Sequence, residues 1–239
     1  MLDIHCHFIP GVDDGAKDVA TTLNMAKKAK SLGYNAIFAT PHYIESSHET
    51  QKEDLLNSVE ILNNMLKERN INLSIYSGNE IYYSRNVLEL LQDEKVCTLA
   101  NSRYFLMELP FTGKVLGLNE LIQNITHVGY IPIIAHPERY DFVNQNYKEL
   151  YDIIEAGALL QVNLSSILGY YGNKPKATVK KLLKNNMVSI IGTDSHDDKK
   201  IYDKFDMAKK KILKLISEDK WEKLTKINPS YIIEDKNIY

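Results

Sequence analysis

Histidines and carboxylates occur near the start of the chain at a spacing suited to binding a metal ion. His5 and His7 stand two residues apart in a short apolar stretch that is typical of a β-strand. Because side chains alternate along a strand, both imidazoles point to one side and can hold one ion together. A Pro-Gly turn then ends the strand and places Asp13 and Asp14 beside the same mouth. Solvated aspartates after a histidine-rich strand end are the alternative, so the rest of the chain decides.

Further nitrogen and oxygen ligands stand at the carboxyl ends of later predicted strands. They are His42, Glu80, Glu108, His136, Asp194 and His196. Only the sixth of seven predicted strands lacks one, since it ends in Asn163, which is polar but a poor ligand. So many converging polar groups would be costly without a partner. This donor set suits Mn, Fe, Zn or Mg. With Asp14 the ligands number nine, which is too many for one ion. We therefore expect two or three divalent ions bridged by a carboxylate, a site typical of phosphoryl or amide hydrolysis.

The elements that must position these residues alternate between strand and helix. Apolar runs predict strands at residues 2–6, 36–39, 73–76, 104–108, 131–135, 159–162 and 188–192. Helical periodicity predicts helices at residues 19–32, 53–68, 87–91, 118–127, 147–155, 176–184 and 204–216, with a short terminal helix capped by Asn228 before Pro229. This alternation indicates a parallel α/β sheet, open or closed into a barrel, with its site at the carboxyl ends of the strands. No linker interrupts it, so we expect a single domain over residues 1–239.

Composition excludes several classes of protein. The 239 residues are 44% hydrophobic and 25% charged, which is ordinary for a globular chain with a sizeable core. A net charge of −2 without a basic block gives no indication of a nucleic-acid partner. No apolar run reaches transmembrane length and no signal peptide precedes the first strand, so we expect no direct membrane insertion. Cys6 and Cys97 make no disulfide framework, which favours the cytoplasm.

Taken together, these motifs resemble the PHP (polymerase and histidinol phosphatase) superfamily. Within it, the chain is most similar to the PHP-type protein-tyrosine phosphatases of Gram-positive bacteria, the capsule and exopolysaccharide regulators of the CpsB/CapC/YwqE type. The resemblance extends from residue 1 to about residue 229. The segments that carry it are Asp3-Ile4-His5-Cys6-His7, Pro10-Gly11-Val12-Asp13-Asp14-Gly15, Ala39-Thr40-Pro41-His42, Gly78-Asn79-Glu80-Ile81, Glu108-Leu109-Pro110, Ala135-His136-Pro137-Glu138-Arg139-Tyr140 and Gly192-Thr193-Asp194-Ser195-His196. Other PHP phosphatases tend to have His where Asp14 and Glu108 stand.

The resemblance implies a distorted TIM-like (β/α)7 barrel of the PHP fold with a trinuclear site, for which manganese is the first choice. It also implies a ligand set for each ion. His5, His7, Glu80 and Asp194 would hold the first ion, Glu80, Glu108 and His136 the second, and Asp14, His42 and His196 the third. Arg139 would grip the phosphate, which its forked guanidinium also suits chemically. The implied substrate is the C-terminal tyrosine cluster of a bacterial tyrosine kinase, and some relatives are homo-oligomers.

One departure from the family concerns a second phosphate-directed arginine, which usually follows the last Asp-x-His. No arginine follows Arg139 in this chain. Lys199 or Lys200 could supply the charge but not the fork, and a solvated charged loop is the alternative.

Aromatic residues flank several predicted strand ends and could form a slot for a substrate ring, or could equally be ordinary core and loop residues. They are Tyr43, Tyr82, Tyr83, Phe111 and Tyr140.

A thiol mechanism is the first rival, because Cys97 and Arg103 match the Cys-x5-Arg pattern of thiol phosphatases. No glycine lies between them to let the backbone cradle a phosphate, and Arg103 leads into a strand, so we reject it. Other rivals are a PHP phosphoesterase for small molecules such as histidinol phosphate, a metal-dependent amidohydrolase and a binding module. Arg139 at the mouth favours phosphate chemistry.

Overall fold

The computed structural model describes residues 1–238, and within them nine strands pair in parallel. The strands are β1 (Leu2–Cys6), β2 (Ala36–Ala39), β3 (His42–Tyr43), β4 (Ser74–Ser77), β5 (Glu80–Tyr82), β6 (Tyr104–Glu108), β7 (Ile131–Ala135), β8 (Leu159–Asn163) and β9 (Ile190–Gly192). They form two sheets, ordered β1-β2-β4 and β3-β5-β6-β7-β8-β9.

Two short strands, β3 and β5, lie outside the seven predicted strands and bring the number within residues 1–238 to nine. β2 is followed by β3 after Pro41, and β4 is followed by β5 after a turn that contains Gly78. Proline has no N–H to give to a strand ladder, and a Cβ on Gly78 would lie 2.6 Å from Leu99 Cδ2. Beyond the break, His42 pairs directly with Glu80. The pairing of β3 with β5 therefore brings two predicted ligands side by side.

The first strand lies beside the segment that follows the last one. The Asp194 N–H donates to the His5 carbonyl at 2.9 Å, and the His7 N–H donates to the Ser195 carbonyl at 3.0 Å. These bonds place His5 of β1 and His7, which follows β1, beside the Asp-x-His segment after β9. The predicted α/β class with a distorted TIM-like arrangement is confirmed.

Helices connect the strands in the predicted alternation. They are α1 (Val19–Ser31), α2 (Lys52–Glu68), α3 (Val87–Gln92), α4 (Leu118–His127), α5 (Asp141–Gln145), α6 (Leu150–Glu155), α7 (Asn173–Lys184), α8 (Phe205–Ile212), α9 (Glu218–Glu222) and α10 (Asn228–Ile233). Within residues 1–238, no helix is both long and apolar enough to span a bilayer.

Several helices differ in detail from the predictions. The helix predicted at 204–216 begins at Phe205 and ends at Ile212, and Ser217 caps the separate helix α9 by accepting a hydrogen bond from the Lys220 N–H. The five-residue helix α5 was missed, since it is too short to show periodicity. Asn228 is not a cap, because its backbone is already helical and its amide donates to the Ser189 carbonyl at 2.7 Å.

Alternate residues of the strands form a small apolar cluster that is separate from the main core between sheet and helices. Leu106 of β6 and Ile133 of β7 belong to it. Glu108 stands two residues beyond Leu106 and so projects from the same face of β6. The strands thus carry apolar residues along most of their length and ligand residues at their carboxyl ends.

Candidate active site

All nine residues predicted as metal ligands converge at the carboxyl ends of the strands. Their nitrogen and oxygen atoms form four overlapping groups in which every atom lies within 4.8 Å of the others. The groups are His7, Asp14, His42 and His196; His5, His7 and Glu80; His5, His136 and Asp194; and His42, Glu80 and Glu108. His48 and His127, the remaining two of the seven histidines, belong to none of them.

Glu80 stands at the centre of this cluster. Its Oε1 lies 2.9 Å from His136 Nε2 and 3.3 Å from His5 Nε2. Its Oε2 lies 3.0 Å from His42 Nδ1 and 3.3 Å from His7 Nε2. Each oxygen of one carboxylate therefore faces two imidazoles, so Glu80 could share a metal ion with ligands on either side of it.

The buried polar atoms of the cluster fit divalent metal ions. His5 Nε2, His7 Nε2, His42 Nδ1 and Glu80 Oε2 are buried and have no hydrogen-bond partner within the described chain. Unpaired buried polar atoms are costly, and a cation shared among nitrogen and oxygen donors removes that cost. The residues present therefore suit the group that the sequence implies.

Electrostatics support the same conclusion. Burial acts to raise the pKa of Glu80, but the facing imidazoles of His5 and His136 outweigh it and hold that pKa well below its usual range. Glu108 behaves in the opposite way, because burial and then the charge of Glu80 raise its pKa to about 7. The imidazoles thus outweigh burial at the central carboxylate but not at Glu108, whose side of the site would be stabilised by a further positive charge.

Several imidazoles are oriented through Nδ1. His7 Nδ1 lies 2.6 Å from Asp13 Oδ2, and His196 Nδ1 lies 3.0 Å from the Asp194 carbonyl oxygen. An acceptor at Nδ1 requires the Nδ1–H form and leaves Nε2 free for a metal. Asp13, which the sequence placed beside the mouth, therefore orients a ligand. A Cβ on Gly15 would lie 2.3 Å from His7 Cβ, so only glycine allows this turn to approach His7.

Arg139 lies over the cluster in a cavity of about 780 Å³. Its guanidinium carbon is 4.5 Å from the centre of the Phe111 ring and 4.3 Å from that of Tyr171. Its Nη1 donates to Asp194 Oδ2 at 3.2 Å. The two rings and the carboxylate hold a planar cation at the mouth, with its charge facing the ligands.

Aromatic and aliphatic side chains form much of the remaining cavity wall. Of the five aromatic residues considered from the sequence, Tyr82 and Phe111 line the cavity. Tyr140 was a wrong candidate, because it is buried and its hydroxyl donates to the Ala135 carbonyl at 2.7 Å. Sequence reasoning missed Ile44, Tyr170, Tyr171 and Ile201.

Lys200, and not Lys199, is among the residues that line the cavity. Its Nζ lies 3.2 Å from Asp197 Oδ2, and its side chain is 74% exposed. A cation therefore stands at the rim on the side of the last Asp-x-His, although without the fork of an arginine.

The Cys97–Arg103 segment is structural. Burial raises the pKa of the Cys97 thiol to about 11, which disfavours the nucleophilic thiolate. Arg103 Nε lies 3.0 Å from Asp235 Oδ1, near the end of the chain. Burial likewise raises the pKa of Cys6, whose sulfur faces the Ser195 carbonyl and the Tyr202 hydroxyl. Neither thiol is placed to attack a phosphate.

A TIM-like α/β fold whose strand ends gather imidazoles, carboxylates and one arginine defines a class of hydrolase with a candidate multinuclear metal centre. Within that class, the chain belongs to the family described as "Capsular polysaccharide synthesis, CpsB/CapC", which it matches over residues 1–234. The family resemblance seen in the sequence is confirmed.

Named relatives agree with this assignment. Tyrosine-protein phosphatase YwqE of Bacillus subtilis is 33% identical over 199 residues, which are 83% of this chain and 78% of that protein. Tyrosine-protein phosphatase CpsB of Streptococcus pneumoniae is 30% identical, with 100% of both chains covered.

Solved structures show the same relationship. A structure from a study of YwqE from Bacillus subtilis and CpsB from Streptococcus pneumoniae, described there as unique metal-dependent tyrosine phosphatases, superposes with a TM-score of 0.91. It is 29% identical, and the match covers 100% of this chain and 96% of that chain. Histidinol phosphate phosphatase from Lactococcus lactis, at a TM-score of 0.61 and 16% identity over 90% of this chain and 93% of that one, shares the fold.

Proposed function

We propose that this protein is a metal-dependent protein-tyrosine phosphatase that hydrolyses phosphotyrosine and regulates capsular or exopolysaccharide synthesis. One observation carries the proposal: the cluster of nine metal-binding side chains opens into a cavity that Arg139 and aromatic residues also line. The cavity thus combines side chains that can bind a phosphate group with aromatic side chains that can contact the ring of a phosphotyrosine. Membership of the CpsB/CapC family and the names of the relatives support it.

The ligand sets support a site for three divalent ions, with manganese as the first choice among Mn, Fe, Zn and Mg. The family resemblance assigns His5, His7, Glu80 and Asp194 to the first ion, Glu80, Glu108 and His136 to the second, and Asp14, His42 and His196 to the third. The third set lies within one of the four groups of converging atoms, and Glu80 and Glu108 of the second lie 2.9 and 3.5 Å from His136 Nε2. When bound, such ions lower the pKa of water and neutralise the charge of phosphoryl oxygens. The central position of Glu80 supports its role as the bridge.

Arg139 would bind the phosphate of the substrate. Its guanidinium is already held between two rings, so little conformational entropy is lost when it donates to a phosphate oxygen. It would keep the phosphoryl group against the ligand cluster and stabilise the charge that develops on its oxygens. Arg139 is the residue of this chain that we assign a catalytic role besides metal binding.

A phenolate leaving group suits this cavity. Tyrosine has a pKa of roughly 10, well below that of an alkyl alcohol, so its departure needs only modest help from a nearby acid. The exposed ring of Tyr170 stands at the cavity wall, and Tyr82 lines the same space. Contact with a substrate ring would favour phosphotyrosine over aliphatic phosphates.

Finer features of the function follow from the family resemblance. We propose that the substrate is the C-terminal tyrosine cluster of a bacterial tyrosine kinase, that the protein acts in the cytoplasm, and that residues 1–239 work as one domain and assemble into a homo-oligomer. Two buried cysteines without a disulfide support a reducing compartment.

The proposal is tested by substrate comparison with purified, metal-loaded protein. We expect rapid release of phosphate from a phosphotyrosine peptide, slow release from the phosphoserine peptide of the same sequence, and slow release from histidinol phosphate. Histidinol phosphate as the better substrate would favour the small-molecule phosphoesterase instead. Hydrolysis of an amide with no phosphatase activity would contradict the proposal altogether.

Replacing Tyr170 by alanine is expected to lower kcat/KM for the phosphotyrosine peptide by roughly 2–10-fold, because an aromatic contact contributes about 0.5–1.5 kcal/mol. The rate with the phosphoserine peptide should stay unchanged, since a serine side chain has no ring to contact. Tyr170→Phe keeps the ring and is the matched control. An equal loss with both peptides would show that Tyr170 does not contact the substrate ring.

Replacing Cys97 by serine is expected to leave kcat and KM for phosphotyrosine within about twofold of wild type, because the buried thiol is not a nucleophile. Steady-state kinetics with the same peptide check this expectation, and thermal unfolding reports any loss of packing. An inactive but folded Cys97→Ser protein would restore the thiol mechanism.

A further inference from the structure

Two buried amides of β8 connect two of the proposed ligands through an unbroken chain of hydrogen bonds. His5 Nδ1 lies 2.8 Å from Gln161 Oε1, and Gln161 Nε2 lies 2.9 Å from Asn163 Oδ1. Asn163 Nδ2 then lies 2.6 Å from Asp194 Oδ2. Both amide side chains are 0% exposed, so water does not compete for these bonds.

The carboxylate at one end fixes the direction of every bond in the chain. An ionised carboxylate only accepts, so Asn163 must turn its NH2 toward Asp194 and its carbonyl oxygen toward Gln161. Gln161 must then donate to that oxygen, which leaves its own carbonyl oxygen facing His5. That oxygen needs a donor, and His5 must therefore carry its proton on Nδ1. The reverse direction would place two oxygens against each other beside Asp194.

This series of hydrogen bonds leaves one atom of His5 and one atom of Asp194 available to bind a metal ion. Asp194 Oδ2 is occupied by Asn163 and by Arg139, whereas its Oδ1 lies 3.3 Å from His5 Nε2. Two atoms bound to one ion at about 2.0–2.2 Å lie at about this separation. His5 Nε2 and Asp194 Oδ1 are therefore close enough to bind the same ion, and each has a lone pair available for it.

The surroundings hold the amides in place. A Cβ on Gly192 would lie 2.9 Å from Gln161 Nε2 and 3.1 Å from His5 Cβ, so the glycine of β9 makes room for this contact. The Asn163 N–H donates to the buried Glu138 Oε1 at 2.8 Å, which fixes the backbone from which its amide projects. The amides are packed and anchored, which limits them to one arrangement.

We propose that Gln161 and Asn163 are positioning residues for His5. Because Asp194 can only accept, the hydrogen bonds that these two amides make present an acceptor to His5 Nδ1. His5 is then held in the tautomer that carries its proton on Nδ1 and leaves Nε2 free for a metal ion. This inference rests on the proposed metal dependence. It gives a role to β8, which supplies no metal ligand of its own. The strand supplies the amides that hold ligands of β1 and of the segment after β9.

The test compares Gln161→Met with Gln161→Glu by metal affinity, measured as manganese competition against a chromophoric chelator. Methionine fills the space but its thioether is only a weak hydrogen-bond acceptor, whereas the glutamate carboxylate still accepts a hydrogen bond from His5. We expect Gln161→Met to weaken binding of the tightest ion by roughly 10–100-fold, as for other groups that orient metal-bound imidazoles. Gln161→Glu should lie between that variant and wild type.

If Gln161 served only in packing, Gln161→Met would bind metal more tightly than Gln161→Glu, because a buried methionine is tolerated better than a buried carboxylate. Gln161→Met that binds as tightly as wild type, or more tightly than Gln161→Glu, would overturn the inference. Asn228→Ala is the matched control, since it removes a buried amide that bonds Ser189 and should leave affinity unchanged. A wild-type protein that binds no manganese would instead overturn the proposed function.

A second measurement needs no substitution and remains decisive if a variant fails to fold. Zinc is diamagnetic, so the imidazole nitrogens of 15N-histidine protein loaded with zinc can be observed by long-range 1H–15N NMR. We expect His5 to show a protonated Nδ1 and a metal-bound Nε2. A metal-bound Nδ1, or a proton on Nε2, would overturn the inference.

Discussion

Removing divalent metal with a strong chelator is expected to lower the rate of phosphotyrosine hydrolysis by at least roughly 1,000-fold. Loss of a single charge-stabilising donor in an active site already costs about 10²–10³ in rate, and here every proposed ion would be lost. Glu80 Oε2, His5 Nε2, His7 Nε2 and His42 Nδ1 are buried atoms without a hydrogen-bond partner in the described chain, so the protein offers these atoms no substitute for the cations. Activity and bound metal are measured on the same samples.

Add-back completes this experiment. We expect two or three ions per chain at full activity and recovery with manganese, with Fe, Zn and Mg tested in parallel. Circular dichroism before and after chelation shows that the apoprotein is folded. Full activity in protein without detectable metal would contradict the mechanism.

Glu80→Gln is the genetic counterpart of chelation. It keeps the size of the side chain but removes the charge that faces four imidazoles, so at least one ion should be lost together with activity. Glu94→Gln, which changes an exposed carboxylate paired with Lys52, is the matched control and should bind metal normally.

The ligand residues could be predicted because a local rule places them. In a parallel α/β fold the site lies at the carboxyl ends of strands, and His136 directly follows an apolar run while Glu108 ends one. His5 and His7 carry an additional period-two signal. Hydrophobic pattern and residue type were enough to list these side chains without knowing which strands pair.

Other parts of the site depend on contacts that no local pattern encodes. Gln161 and Asn163 are ordinary polar residues in sequence, and their importance follows from the pairing of β8 with β9 beside β1. Tyr170 and Tyr171 reach the cavity only because a helical turn at Leu164–Leu168 separates them from β8. Asp13 and Asp14 are adjacent and alike, and only the fold shows that Asp13 orients His7 while Asp14 faces His42 and His196.

Replacing Arg139 by alanine is expected to lower kcat/KM for the phosphotyrosine peptide by about 10²–10³, the usual cost of losing one preorganised donor to a developing charge. Among the residues that line the cavity, it is the only arginine, and Lys200 at the rim is highly exposed. No neighbouring guanidinium can therefore take over its contacts with the phosphate. Steady-state kinetics on metal-loaded protein measure the loss.

Arg139→Lys separates charge from shape. Lysine keeps the positive charge but cannot stack as a plane between Phe111 and Tyr171 or offer a fork of donors, so we expect it to recover only a small part of the activity. Lys200→Ala is the matched control for removing a cation from the cavity wall and should cost no more than about threefold, because exposed charges are screened by solvent.

Metal content must be measured for each Arg139 variant, because Arg139 also donates to Asp194, a proposed ligand. If the guanidinium binds the phosphate, activity falls while the number of bound ions stays at the wild-type value. Loss of metal in proportion to activity would mean that Arg139 acts by holding Asp194 in place. Arg139→Ala with wild-type kcat/KM would leave the phosphate without its proposed binding residue and would contradict the mechanism.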